Sequence, residues 1–115
     1  TAKQTFVAYR VDDAQTTSKI KSLYDKHGII FDPHSAVGLH AAASARDDKI
    51  VPTDISIISL ACAHPAKFPD AVEKAIGIRP DLPEHLRDLM DRKETKTEID
   101  GTVEATQKLI YENIR

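Results

Sequence analysis

The sequence has little of what several classes of functional site require. Cysteine occurs once, at Cys62, so no disulfide can form within the chain, which fits a reducing compartment. The four glycines are scattered, so no glycine-rich loop offers consecutive backbone amides to a phosphate. Its 16 basic and 18 acidic side chains leave no basic excess, which argues against nucleic-acid binding. The apolar stretches are far shorter than the ~20 residues that span a bilayer, and no signal peptide opens the chain.

The composition that remains is typical of one folded domain. The chain has 115 residues, of which 41% are hydrophobic and 30% are charged. This balance indicates a globular rather than a disordered protein, and the length favours a single domain over residues 1–115. The chain starts at Thr1 without methionine, from which we expect that an upstream part is missing.

Two helices are predicted in the first half of the chain. The first follows the capping residues Asp12 and Asp13 and runs to about His27, with Gly28 placed to end it in a left-handed conformation. Its apolar residues share one face; they are Ile20, Leu23 and Tyr24.

The second helix begins at Asp32-Pro33 and gives way at Asp47-Asp48. It is rich in alanine, so we expect it to pack closely against its neighbours. Asp32 and His34 are predicted to cap this helix and to tie it to adjacent segments.

Three helices are predicted in the second half. One runs from Pro69 to Gly77, and a second, amphipathic helix is marked by apolar residues; these are Leu82, Leu86, Leu89 and Met90. The last starts at about Thr102. Its predicted buried face consists of Val103, Leu109, Ile110 and Ile114.

The most apolar segment, Ile55 to Ala61, is predicted to be a β-strand. It is apolar or small without polar alternation, a pattern typical of a parallel strand covered on both faces. Thr5 to Val11 is a weaker candidate, so the chain offers this strand few partners. Two explanations stay open: a small α+β domain with a short sheet, or a mostly helical α/β fragment with one or two strands from a larger parallel-sheet domain.

The loop from Cys62 to Phe68 is the candidate functional site, because ligands of open α/β sheets bind beyond the carboxyl ends of strands. His64 and Lys67 can titrate there, and Cys62 is a weak donor or nucleophile. The alternative is a loop whose proline and phenylalanine simply pack. No catalytic residue and no metal site are predicted elsewhere, since no metal-binding or nucleophile motif occurs in the sequence.

Two motifs carry a family resemblance. Asp32 to Gly38 (DPHSAVG) resembles the DPHTAVG motif of threonine synthases, and Ala63 to Phe68 (AHPAKF) resembles the end of their TAHPAKF motif. The order and spacing of the two motifs match as well, and the similarity extends roughly from residue 5 to residue 90.

The resemblance implies a cytoplasmic enzyme of amino-acid biosynthesis with the fold type II of pyridoxal-phosphate enzymes. Such enzymes convert O-phospho-L-homoserine and water into L-threonine and phosphate. The Schiff-base lysine and the loop that holds the cofactor phosphate belong to a part of the family upstream of this chain. We therefore expect the chain alone to be inactive and not to bind pyridoxal phosphate stably. Its expected partners are that missing N-terminal part and a second copy, which would associate through exposed apolar surface.

The resemblance also implies that Cys62, Ala63, His64 and Lys67 lie on the cofactor side. Cys62 stands where the family has threonine, whose hydroxyl is expected to face the pyridine nitrogen of the cofactor. A thiol is a weaker partner but equally neutral, so it would keep that nitrogen largely unprotonated. The alternative for Cys62 is a small buried hydrophobic residue. Lys67 does not match the Schiff-base position. Two rival functions remain: a small stand-alone α+β binding or interaction domain, and a different pyridoxal-phosphate lyase of the same fold type.

Overall fold

The computed structural model describes residues 5–114 and is predominantly helical. Its α-helices are α1 (Asp13–His27), α2 (Pro33–Asp47), α3 (Pro69–Ile76) and α4 (Val103–Asn113), with short 3₁₀ turns at Pro65–Lys67, Glu84–Leu86 and Leu89–Asp91. The chain divides into two compact units, the first ending at Leu82 and the second beginning at Pro83.

The ends of α1 are set by local chemistry, as predicted. Asp12 caps the helix: its side chain accepts from the backbone amide of Gln15, while the Gln15 side chain accepts from the amide of Asp12. This reciprocal arrangement satisfies two amides that the helix leaves free. Gly28 ends the helix with φ 68°, a left-handed conformation that glycine adopts without steric strain.

Helix α2 also begins and ends where the sequence predicts. The Asp32 carboxylate accepts from the amides of His34 and Ser35, and Pro33 occupies the first turn. The last turn gives way at Asp48. Helix α3 ends at Gly77, whose φ is 72°.

The core of the first unit lies where α1 packs against α2 and α3. It is small. The fully buried apolar side chains at its centre are Ile20 of α1, Ala36 of α2 and Val72 of α3. Ala36 is wholly inaccessible to solvent, so the small residues of α2 allow close helix packing, as expected.

Neither predicted β-strand is formed within residues 5–114. The segment from Ile55 to Ala61 is irregular, and no segment pairs with it in a ladder; the same holds for Phe6 to Val11. A strand needs a hydrogen-bonded neighbour, and residues 5–114 do not supply one. Ile58 and Leu60 consequently remain 87% and 78% exposed.

Two predictions for the residues from Leu82 onward are wrong. The amphipathic helix expected from Leu82 to Met90 is replaced by the 3₁₀ turns Glu84–Leu86 and Leu89–Asp91. Hydrogen bonds there span three residues, for example from the amide of Leu86 to the carbonyl of Pro83, a pattern typical of short turns.

Helix α4 starts at the predicted cap, Thr102, which accepts from the amide of Ala105. Most of its expected buried face is exposed: Val103, Ile110 and Ile114 are 67%, 52% and 66% exposed, and Leu109 is half-buried. The apolar pattern of α4 is therefore present, but the described part of the second unit does not cover it.

Candidate functional site

The first turn of α2 is built around a buried carboxylate. Asp32 is 1% exposed. Its Oδ1 accepts from the backbone amides of His34 at 3.0 Å and Ser35 at 3.3 Å. The hydroxyl of Ser35 donates to the other oxygen, Oδ2. Both oxygens of Asp32 are thus engaged within its own helix turn.

This turn also binds the predicted functional loop. The backbone amide of Cys62 donates to Oγ of Ser35 at 3.0 Å, across 27 residues of sequence. The backbone amide of Ala63 also forms a hydrogen bond to the Asp32 carboxylate. This bond has the smallest of the effects that lower the pKa of the carboxyl group. The two motifs recognised in the sequence therefore meet through Asp32, Ser35 and Cys62.

Asp32 is held in its ionised form. Burial alone would raise the pKa of its carboxyl group. Hydrogen bonds from the Ser35 hydroxyl and from the amides of Ser35, His34 and Ala63 outweigh burial and lower the pKa below its ordinary value. The Nδ1 atom of His34 lies 3.4 Å from Oδ1 of Asp32. A buried carboxylate with this many donors is electrostatically satisfied.

His64 caps the 3₁₀ turn Pro65–Lys67. Its Nδ1 accepts from the amide of Ala66 at 3.2 Å, so Nδ1 carries no proton in this arrangement. The neutral imidazole then bears its proton on Nε2. Ala66 is buried, and its burial anchors the middle of the loop.

The ring of Phe68 is close to one side chain from each of the two motifs, His34 and Lys67. The ring of His34 is 4.8 Å from the ring of Phe68, centroid to centroid, at an interplanar angle of 50°. Nζ of Lys67 is 5.7 Å from the same ring, within cation–π range. Lys67 is exposed.

The structure brings the four predicted site residues together in one loop. Cys62, His64 and Lys67 are exposed, and Ala63 is half-buried. Cys62 is not a buried hydrophobic residue in this chain, because it is exposed. Its thiol contacts the carbonyl oxygen of Leu60 at 3.6 Å.

Sequence reasoning missed Ser35. The prediction that Asp32 caps α2 is confirmed, but the link from this cap to Cys62 was not foreseen. A hydroxyl three residues after a capping aspartate is the feature that could have indicated it, because such a side chain can reach back to the cap.

An open groove of about 630 Å³ lies beside the loop. Helix α2 forms one wall through small residues, among them Gly38 and Ala42, and the segment with Ile57 and Ser59 forms another. A Cβ on Gly38 would lie 2.9 Å from Oγ of Ser59, so glycine permits the close approach of this segment to α2.

Among residues 5–114, no group of three or more histidine, cysteine, aspartate or glutamate side chains is arranged to hold a metal ion. No helix in the same range combines the length and the apolar character required to cross a membrane.

Known proteins similar to this chain agree with one another. A family model described as "Threonine synthase, C-terminal" matches residues 35–110. The threonine synthase of Pseudomonas aeruginosa is 39% identical over 113 residues, which is 97% of this chain and 23% of that protein. The threonine synthase of Saccharomyces cerevisiae is 35% identical over 128 residues, covering 98% of this chain and 24% of that protein.

Solved structures give the same result. A crystal structure of PLP-bound threonine synthase from Brucella melitensis superposes with a TM-score of 0.71 at 38% identity, covering 93% of this chain and 22% of that one. The yeast threonine synthase structure superposes with a TM-score of 0.72 at 34% identity, over 96% of this chain and 24% of that one. The chain thus spans about a quarter of the length of the relatives it matches.

Proposed function

The chain belongs to the threonine synthase family, and on that premise we propose that it is the C-terminal portion of a pyridoxal-phosphate-dependent threonine synthase. The complete enzyme would convert O-phospho-L-homoserine and water into L-threonine and phosphate. Within that enzyme, this chain would form one wall of the crevice that holds the cofactor. The observation that carries the proposal is the bond between the two family motifs, in which the first turn of α2 holds the loop that starts at Cys62.

We propose that residues 1–115 are an incomplete domain whose missing part lies upstream. The segment Ile55 to Ala61 would be one strand of the larger parallel sheet. Its apolar side chains support this, since Ile58 and Leu60 are 87% and 78% exposed. Burial of each of these two side chains against the missing part of the enzyme would contribute roughly 1.5–3 kcal/mol of hydrophobic stabilisation. The same exposure disfavours a self-contained binding domain.

The loop fits a neutral contact to the pyridine nitrogen of the cofactor. Asp32, the carboxylate that is linked to the start of the loop through Ser35, is 1% exposed and already engaged by its own donors, so it is not available to protonate that nitrogen. The exposed group at the start of the loop is the thiol of Cys62. In this proposal Cys62 faces the ring nitrogen, and Ala63, His64 and Lys67 line the same side.

When bound, pyridoxal phosphate supplies the acidification of the substrate α-carbon. In this proposal the residues of this chain position and enclose the cofactor, and none of them transfers a proton. His64 keeps Nε2 for a contact to the cofactor side, because its Nδ1 already accepts from the amide of Ala66. Lys67 contributes positive charge at the loop surface beside Phe68.

The remaining parts of the proposal concern partners and location. We propose the missing N-terminal part of the enzyme as the principal partner, with homodimer formation through the exposed apolar surface when the chain is alone. Large exposed apolar patches favour such association. The proposed location is the cytoplasm, with no role for nucleic acid.

A chimera tests the proposed function. The matching C-terminal segment of the Pseudomonas aeruginosa threonine synthase, 39% identical to this chain, is replaced by residues 1–115. We expect release of phosphate and formation of threonine from O-phospho-L-homoserine. The chain alone, mixed with cofactor and substrate, should give neither product nor the absorbance of a lysine-bound cofactor.

The controls make the result decisive. Far-UV circular dichroism and thermal unfolding establish that the chimera folds. A folded chimera that binds the cofactor but forms no threonine would contradict the proposal, as would turnover by the chain alone. A panel of other phosphorylated and hydroxylated amino acids distinguishes threonine synthesis from another lyase reaction of the same fold type.

A further inference from the structure

The start of the functional loop depends on side chains rather than on secondary structure for its position. Within residues 5–114, the segment before the loop belongs to no ladder or helix. Backbone-to-backbone hydrogen bonds resume only at the amide of Lys67, which donates to the carbonyl of His64. The amide of Cys62 is bound instead by the hydroxyl of Ser35.

Ser35 acts as a relay in this contact. Its hydroxyl donates its single proton to Oδ2 of Asp32, which leaves the oxygen lone pairs free to accept. The amide of Cys62 donates to that oxygen at 3.0 Å. Asp32 therefore fixes the orientation of the Ser35 hydroxyl, and this hydroxyl in turn fixes the position of the Cys62 amide.

The relay is built on a rigid support. Asp32 and Ser35 are 1% and 3% exposed, and neighbouring Ala36 is wholly buried in the core. The other oxygen of Asp32, Oδ1, accepts from the amides of His34 and Ser35. Side chains locked in this way by packing and hydrogen bonds can hold a site in a defined geometry.

We propose that Asp32 and Ser35 are positioning residues, a two-residue latch that fixes the backbone of Cys62 at the first turn of α2 and thereby orients the loop toward the cofactor. The latch itself is a property of this chain, whereas its role in orienting the cofactor side rests on the proposed function. Neither residue touches cofactor or substrate in this proposal. Each acts through the backbone of the loop.

Amide hydrogen exchange on the 115-residue chain tests the latch directly. We expect the amide of Cys62 to be protected and Ser35→Ala to accelerate its exchange about tenfold, as the loss of one hydrogen bond predicts. The amide of His34 should keep its protection in that variant, because Oδ1 of Asp32 still accepts from it.

Three variants separate the hydrogen bonds of the Ser35 hydroxyl from other effects of substitution. Ser35→Thr keeps a hydroxyl, so we expect it to restore protection of the Cys62 amide. Ser22→Ala removes an exposed hydroxyl that bonds only the carbonyl of Lys19, and it should change nothing at Cys62. Asp32→Asn, which loses the second acceptor oxygen, should accelerate exchange at Cys62 as Ser35→Ala does.

The positioning role is tested in the chimera with bound cofactor. We expect Ser35→Ala to shift the cofactor absorbance spectrum and to lower kcat more than it changes KM, with Ser35→Thr restoring both. Unchanged exchange at Cys62 in Ser35→Ala would overturn the latch. Accelerated exchange with an unaltered cofactor spectrum would overturn the positioning role. An inactive wild-type chimera would count against the proposed function alone, since the exchange experiment does not depend on it.

Discussion

The close approach of Gly38 to Ser59 yields a quantitative prediction. In an open helix, replacing glycine by alanine stabilises by about 1 kcal/mol. Here the added Cβ would lie 2.9 Å from Oγ of Ser59, so the hydroxyl must rotate or the segment must move. Overpacking of this kind costs about 1–3 kcal/mol. Taking about 2 kcal/mol for that cost, we expect Gly38→Ala to destabilise the chain by a net ~1 kcal/mol.

A double-mutant cycle isolates the contact. Ser59→Ala removes the oxygen that the new Cβ meets, so in that background Gly38→Ala should regain its helix-propensity advantage. We expect a coupling energy of about 1–2 kcal/mol between the two positions. Urea unfolding followed by far-UV circular dichroism supplies the four free energies. Gly101→Ala is the matched control, because its Cβ would meet nothing within 4 Å, and it should be additive with Ser59→Ala.

Additivity between Gly38→Ala and Ser59→Ala within about 0.5 kcal/mol would refute the reasoning. Such a result would mean that the segment from Ile55 to Ala61 does not rest against α2 in solution. The groove beside the loop would then lack the wall that carries Ser59.

Two further predictions concern charge and capping. The pKa of Asp32 is lower in the folded chain than its ordinary value, so its stabilising contribution is complete above about pH 4 and is lost as the pH falls through the folded value. Asp32→Asn should therefore flatten the acid side of the profile of unfolding free energy against pH, measured by urea unfolding between about pH 3 and 6. The control Asp88→Asn removes an exposed carboxylate that is paired with Arg92, and it should flatten the profile less. His64→Ala should cost about 0.5–1 kcal/mol through loss of the cap on Ala66, whereas His64→Asn keeps a capping oxygen and should cost less; equal losses in thermal unfolding would argue against the cap.

The sequence determined the helices of the first unit because their ends depend on nearby residues. A capping carboxylate at Asp12 or Asp32 finds its amide partners within three residues. Gly28 and Gly77 end helices because glycine, which has no Cβ, adopts the left-handed conformation without a steric clash. The two motifs likewise identified the family, since their spacing is a property of the chain itself.

The tertiary structure decided what depends on distant partners. Ile55 to Ala61 has the composition of a buried strand, but a ladder requires a second strand that the described part of the chain does not provide. The apolar residues of α4 have helical spacing, yet Ile110 is 52% exposed because burial requires a covering surface. The bond from Cys62 to Ser35 joins positions 27 residues apart, and no local pattern specifies it. Propensity and capping act over a few residues, whereas pairing and burial require groups that only the complete fold brings together.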